Sequence, residues 1–136
     1  MNHCYGLLVA YAKALDQGNI NQAGALLDEA LALKDYLPGF IRASLFMEAA
    51  YFEAYHRQSV TKAHEWFNWV EEFVFIQPYT QLRVEAAIAL ANGYTQKARD
   101  KAKAGLDAIY VDALNKGMAI AEHDWLNQIL VQSTRM

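Results

Sequence analysis

Apolar residues recur at three- and four-residue steps along almost the whole 136-residue chain, and that spacing most limits what it can fold into. Leu7, Leu8, Tyr11, Ala14 and Leu15 form one stripe, closed by Asp16-Gln17-Gly18-Asn19, whose polar and left-handed-capable residues stop a helix. A second stripe, Ala23, Leu26, Leu27, Ala30 and Leu31, lies in a run from Ile20 to Leu33 that Tyr36-Leu37-Pro38-Gly39 breaks. The cycle recurs from Phe40 to His56, across a polar joint at Arg57-Gln58-Ser59, and on from Val60 to Ile76 before Pro78. It recurs again from Tyr79 to Leu90, turns at Asn92-Gly93, and resumes from Tyr94 to about Ile109. Two prolines and seven glycines are too few breakers for a turn-rich β fold. The expectation is an all-α chain forming one domain, 1–136.

The hairpins align on one another. Ala23, Leu27 and Ala30 correspond to Ala63, Phe67 and Val70, then to Ala98, Ala102 and Gly105. The offsets are about 40 and then about 35 residues, inside the period of helix-turn-helix arrays. On these residues the chain resembles the tetratricopeptide repeat family, through Gly18-Asn19-Ile20 followed by Ala23, Leu27, Ala30-Leu31 and Leu33, and Asn92-Gly93-Tyr94 followed by Ala98 and Ala102. The resemblance covers roughly residues 4 to 109. The second hairpin departs from the pattern with Gln58-Ser59 in place of the turn glycine, and no hairpin carries the family's tryptophan early in its first helix. The resemblance implies a tetratricopeptide-like α-α superhelix of about three hairpins, at 4–37, 38–78 and 79–110, with a capping helix at 111–132. Met118, Ala121, Trp125, Leu126, Ile129 and Leu130 supply the apolar face of that cap, with Glu122, His123, Asp124 and Gln128 on its wetter side. A second resemblance, carried by Ala50-Tyr51-Phe52-Glu53-Ala54 and Leu82-Arg83-Val84-Glu85-Ala86-Ala87, is to the helical segment that follows the membrane domain in some site-2-type metallopeptidases.

The tetratricopeptide resemblance implies a concave face lined by the first helix of each pair. Helical geometry places Leu45, Glu48, Ala49, Phe52, Tyr55 and His56 within about 120° of one another. Tyr5, Leu8, Val9 and Ala12 match them in the first hairpin, and Arg83, Val84, Ala87 and Leu90 in the third. The partner-binding candidates are accordingly Tyr5, Glu48, Phe52, Tyr55, His56 and Arg83. The wall is mainly apolar and aromatic, which suits an apolar or amphipathic protein segment better than a terminal carboxylate, since Arg83 is its one cation. Phe52 and Tyr55 equally fit a core role, and the Trp125 helix could itself fill the groove. A second candidate surface is Trp66 and Trp69, in a run with Phe67, Val70, Phe73, Val74 and Ile76 whose apolar arc of about 180° exceeds what one buried stripe needs. Such a patch would dimerise or dock a partner.

Chemistry is harder to find. His64-Glu65 opens like a zinc-protease helix, but Asn68 stands where the second histidine ligand belongs, so no metal site or cofactor is expected. Cys4 beside His3 reads as an incidental thiol near a fraying terminus. No catalytic residue is assigned. Twelve basic against fifteen acidic residues, net -3, lack the excess that phosphate backbones attract, so nucleic acid is not expected as a partner. The lone cysteine precludes an internal disulfide, which fits a cytoplasmic chain. No apolar run reaches the roughly 18 to 20 residues of a membrane span, so direct insertion is not expected. The favoured expectation is a non-catalytic protein-protein interaction module that binds a peptide segment or a second copy of itself. The alternative is a helical regulatory or structural appendage of a larger enzyme, such as a membrane metallopeptidase.

Overall fold

A computed structural model of the chain describes residues 2–70, 76–111 and 120–135. Within them lie α1 (Asn2–Asp16), α2 (Ile20–Leu31), α3 (Gly39–Tyr55), α4 (Val60–Asn68), α5 (Pro78–Ala91), α6 (Thr95–Val111) and α7 (Ile120–Arg135). A single 3-10 turn at Lys34–Tyr36 links α2 to α3, and no strand occurs among the described residues. The chain is all-helical there, as its sparse breakers predict.

Three pairs, α1 with α2, α3 with α4 and α5 with α6, pack as hairpins across short turns. Each turn passes through one residue in the left-handed region: Gly18 at φ 72°, Gln58 at φ 56° and Gly93 at φ 81°. The carbonyls left open at the end of the first helix are recovered alike in the outer two hairpins, where Asn19 N–H donates to Ala14 O and Tyr94 N–H to Ala89 O, both at 2.9 Å. In the middle hairpin Ser59 N–H reaches Glu53 O at 2.8 Å, and the left-handed position falls to a residue with a Cβ. The following helices then start on equivalent bonds, from Ala23 to Asn19, Ala63 to Ser59 and Ala98 to Tyr94. Those three alanines are completely buried, because any larger side chain would hold the paired helices apart. Local chemistry fixes further ends: the Asn19 side chain accepts from Gln22 N–H at the start of α2, and Pro78 opens α5 where a missing N–H costs nothing.

The second and third hairpins join through their first helices, whereas the first hairpin meets the second where α2 touches α3. α3 packs along α5, α5 packs against α7, and α7 also lies along α6. At Gly105 α6 comes close to α7, since a Cβ there would lie 2.8 Å from Leu126 Cδ2. Leu126 and Ile129 are fully buried, so α7 closes the end of the stack with its apolar stripe inward. Cys4 is core rather than a fraying thiol, at 1% exposure within α1.

One element differs from its expected extent. The apolar pattern predicts a helix from Val60 to Ile76, yet α4 ends at Asn68. Trp69 N–H bonds to Trp66 O at 3.1 Å and Val70 N–H to Phe67 O at 3.2 Å, a tightening of the last turn that ends a helix. Bulky residues with restricted χ1 crowd that turn. Phe73 and Val74 lie outside the described residues, as do residues 112–119, among them Gly117 and Met118. Among the described residues no helix is long and apolar enough to cross a membrane.

Candidate functional site

The side chains that meet at the centre come from four helices, and Arg83 of α5 is the hub. It is completely buried. Its Nε donates to Glu122 Oε2 at 2.6 Å and its Nη2 to Glu122 Oε1 at 3.0 Å, a two-point contact with α7. Toward α3, Nη1 donates to Glu48 Oε1 at 3.3 Å, and Nη2 also bonds Glu48 Oε2. The guanidinium lies against two aromatic rings, 4.2 Å from the Tyr51 centroid and 4.6 Å from that of Trp125. Tyr11 of α1 donates its hydroxyl to Glu48 Oε1 at 3.0 Å, and Thr80 of α5 donates to Glu122 Oε1 at 2.9 Å.

Helical spacing explains the assembly. Thr80 and Arg83 on α5, Glu48 and Tyr51 on α3, and Glu122 and Trp125 on α7 are each three residues apart, so each pair presents an acceptor or donor beside a ring or cation on one face. A guanidinium taken out of water costs several kcal/mol, and only close hydrogen-bonded partners repay that. Burial alone would ease the proton off Arg83, but the Glu122 and Glu48 carboxylates outweigh it and hold the group cationic, well above its ordinary range. Burial and the neighbouring Glu48 likewise push the Tyr11 phenol far up, so it serves as a hydrogen-bond donor. Among the described residues the buried Tyr51 hydroxyl has no hydrogen-bond partner, while its ring meets Tyr55, Trp125 and the Arg83 guanidinium.

His56 ends this row on α3. Its ring packs edge-on against Tyr55, with centroids 4.9 Å apart, and 5.0 Å from Phe52. Burial, helped by the Arg83 cation, pulls its pKa from the ordinary 6.5 down to about 4. Tyr55 is half-buried and stacks on Tyr51 at 5.6 Å. Phe52 faces the other way, into the core: it meets the Tyr11 ring, lies under Arg57, and would touch any Cβ placed on Gly24. The expected open groove wall is therefore divided. Phe52 and Arg83 lie beneath the surface, Glu48 is mostly covered, and Tyr5 stands out at 66% exposure.

One part that remains open is a hollow of about 240 Å³ between α1, α3 and α7, and Tyr55 lines another, of about 520 Å³, with Asn127, Gln128 and Val131 of α7. Leu8, Val9 and Ala12 form the apolar side of the first, with Tyr11, Ser44, Glu48 and Trp125 completing it. Val9 is 55% exposed, and Tyr5 lies one helical turn before it. The C-terminal helix thus enters the inner wall without filling it, through Trp125.

Trp66 and Trp69 belong to a different cluster, on α3 and α4. The buried Phe46 ring stacks on Trp66 at 5.4 Å and meets Trp69 edge-on at 5.7 Å, leaving Trp66 partly covered and Trp69 56% exposed. Among the described residues no three His, Cys, Asp or Glu side chains gather as metal ligands.

Sequence reasoning missed Tyr51, Thr80 and Glu122 as members of the central network, and placed Glu122 on the wet face of its helix. Its side chain is 13% exposed. A signal was present: an aromatic or cationic residue three positions after a carboxylate or hydroxyl on α3, α5 and α7. Comparison with protein-family models, with curated proteins and with solved structures finds no match to the chain.

Proposed function

We propose that the chain is a non-catalytic protein interaction module, a tetratricopeptide-like superhelix in the cytoplasm whose inner wall holds an apolar or amphipathic segment of a protein partner. The observation that carries this reading is the hollow of α1, α3 and α7 with Val9 and Tyr5 exposed at its edge. Burying one leucine-sized side chain there is worth about 1.5–3 kcal/mol, enough for an anchor residue. The polar groups nearby favour holding over chemistry: Arg83 spends its hydrogen bonds on Glu48 and Glu122, and among the described residues no metal-ligand cluster accompanies them.

The test compares two surface variants of the full chain. Val9→Lys places a charge at the hollow and should lower partner retention about tenfold or more, with helical circular dichroism and stability kept within about 0.5 kcal/mol, because Val9 is an exposed position. Trp69→Glu, on the separate aromatic cluster, should retain the partner. The opposite pattern, loss with Trp69→Glu alone, moves the interface to α4 and overturns the reading.

A further inference from the structure

The hollow has a charge sign as well as a shape. Among the described residues that line it, Glu48 is the one charged side chain. Behind it, the buried network sets two carboxylates, Glu48 and Glu122, against the single guanidinium of Arg83. That group therefore carries one excess negative charge at the edge of an apolar space, where field lines are poorly screened. Glu48 is also not saturated. Among the described residues its Oε1 accepts from Tyr11 and Arg83 and its Oε2 from Arg83 alone, so a lone-pair position remains for another donor. Ser44 donates its hydroxyl to Phe40 O at 3.3 Å and keeps its own acceptor capacity. The remaining wall is aliphatic, Leu8, Val9 and Ala12, or aromatic, Tyr11 and Trp125.

Resting on the reading of this hollow as the partner site, we propose that it selects a lysine side chain of the partner segment, its aliphatic stem against Leu8, Val9 and Ala12 and its ammonium at Glu48. Lysine fits better than arginine because a single open acceptor position suits a compact point charge, whereas a guanidinium looks for a two-point acceptor. The Tyr11 and Trp125 rings add attraction for the cation, and a carboxylate on the same stem is repelled.

The experiment uses the whole chain and three small probes of equal length, hexylammonium, 1-hexanol and hexanoate, followed by backbone amide chemical shifts. Hexylammonium is expected to shift Leu8, Val9, Ala12 and Glu48 with about tenfold tighter binding than hexanol, and hexanoate to leave them unmoved. In Glu48→Gln the ratio of ammonium to hexanol affinity should fall from about ten to about one. If hexanol and hexylammonium bind the hollow equally in the wild type, or hexanoate binds best, the selectivity for a cation is overturned and the apolar partner site stands. If none of the three perturbs the hollow, or ammonium shifts fall only on other surfaces, the site itself falls and this inference with it. Should Glu48→Gln fail to fold, the wild-type ranking decides the matter unaided.

Discussion

Two residues show how far single positions answer to local physics. Gln58 occupies the left-handed turn that Gly18 and Gly93 occupy in the other hairpins. A Cβ in that conformation costs roughly 1 kcal/mol, and the glycine replacement gives part of it back through a freer unfolded chain. Gln58→Gly is therefore expected to raise stability by about 0.5–1 kcal/mol in urea denaturation; no gain would mean that the turn is not strained. His56 makes a second case. Its folded pKa of about 4 lies below the ordinary 6.5, so the folded protein binds fewer protons between these values than the unfolded chain. His56 has no effect above about pH 6.5, and stability falls as the pH drops from there toward 4. For a partly solvated ring, screening reduces the loss to the order of 1 kcal/mol. His56→Phe should keep the ring contacts and remove that part of the slope, read as the difference in urea midpoint between pH 7 and pH 4.5. An unchanged slope would place the titrating group elsewhere.

At the scale of elements, periodicity told which segments are helices and where they turn, but not which face of a central helix is open. α3 buries residues all round its axis, from Ala43 and Leu45 through Phe46 and Met47 to Phe52 and Ala54, and α5 does the same from Tyr79 to Leu90. A helix covered on every side has no stripe to read. Phe52 and Glu48 therefore share an arc in sequence and diverge in the fold: both reach Tyr11 of α1, but Phe52 lies under Arg57 and against Gly24 of α2, while Glu48 pairs with Arg83 of α5. The bonds that join elements were equally silent, because Glu48 and Glu122 lie on either side of Arg83 at separations that no local pattern spans. The docking of α7 depends on that network as well as on Leu126 and Ile129. Arg83→Met leaves Glu48 and Glu122 facing each other without a cation and should destabilise by about 3–5 kcal/mol. Adding Glu48→Gln and Glu122→Gln to the same chain should recover most of the loss in chemical denaturation. Failure to recover would assign the cost to lost packing of the arginine stem.

For the molecule as a whole, one arrangement accounts for both the buried ionic centre and the exposed apolar edge. α3 and α5 lie side by side and α5 packs against α7, and the polar groups brought together there must satisfy one another or be left orphaned. Toward α5 and α7 they do so completely enough to seal the wall. Toward α1 the wall stays open, with Val9 and Tyr5 uncovered, and this is where the account places the partner. The all-α class was legible from breaker content and spacing. The open end of the wall was not, because it depends on where Trp125 comes to rest. The most direct test is site-specific photocrosslinking in living cells, with p-benzoylphenylalanine in place of Val9 in one chain and in place of Trp69 in another. The account predicts a discrete adduct to a different protein from position 9 and none from position 69. Adducts from position 69 alone, or only to a second copy of this chain, would contradict it.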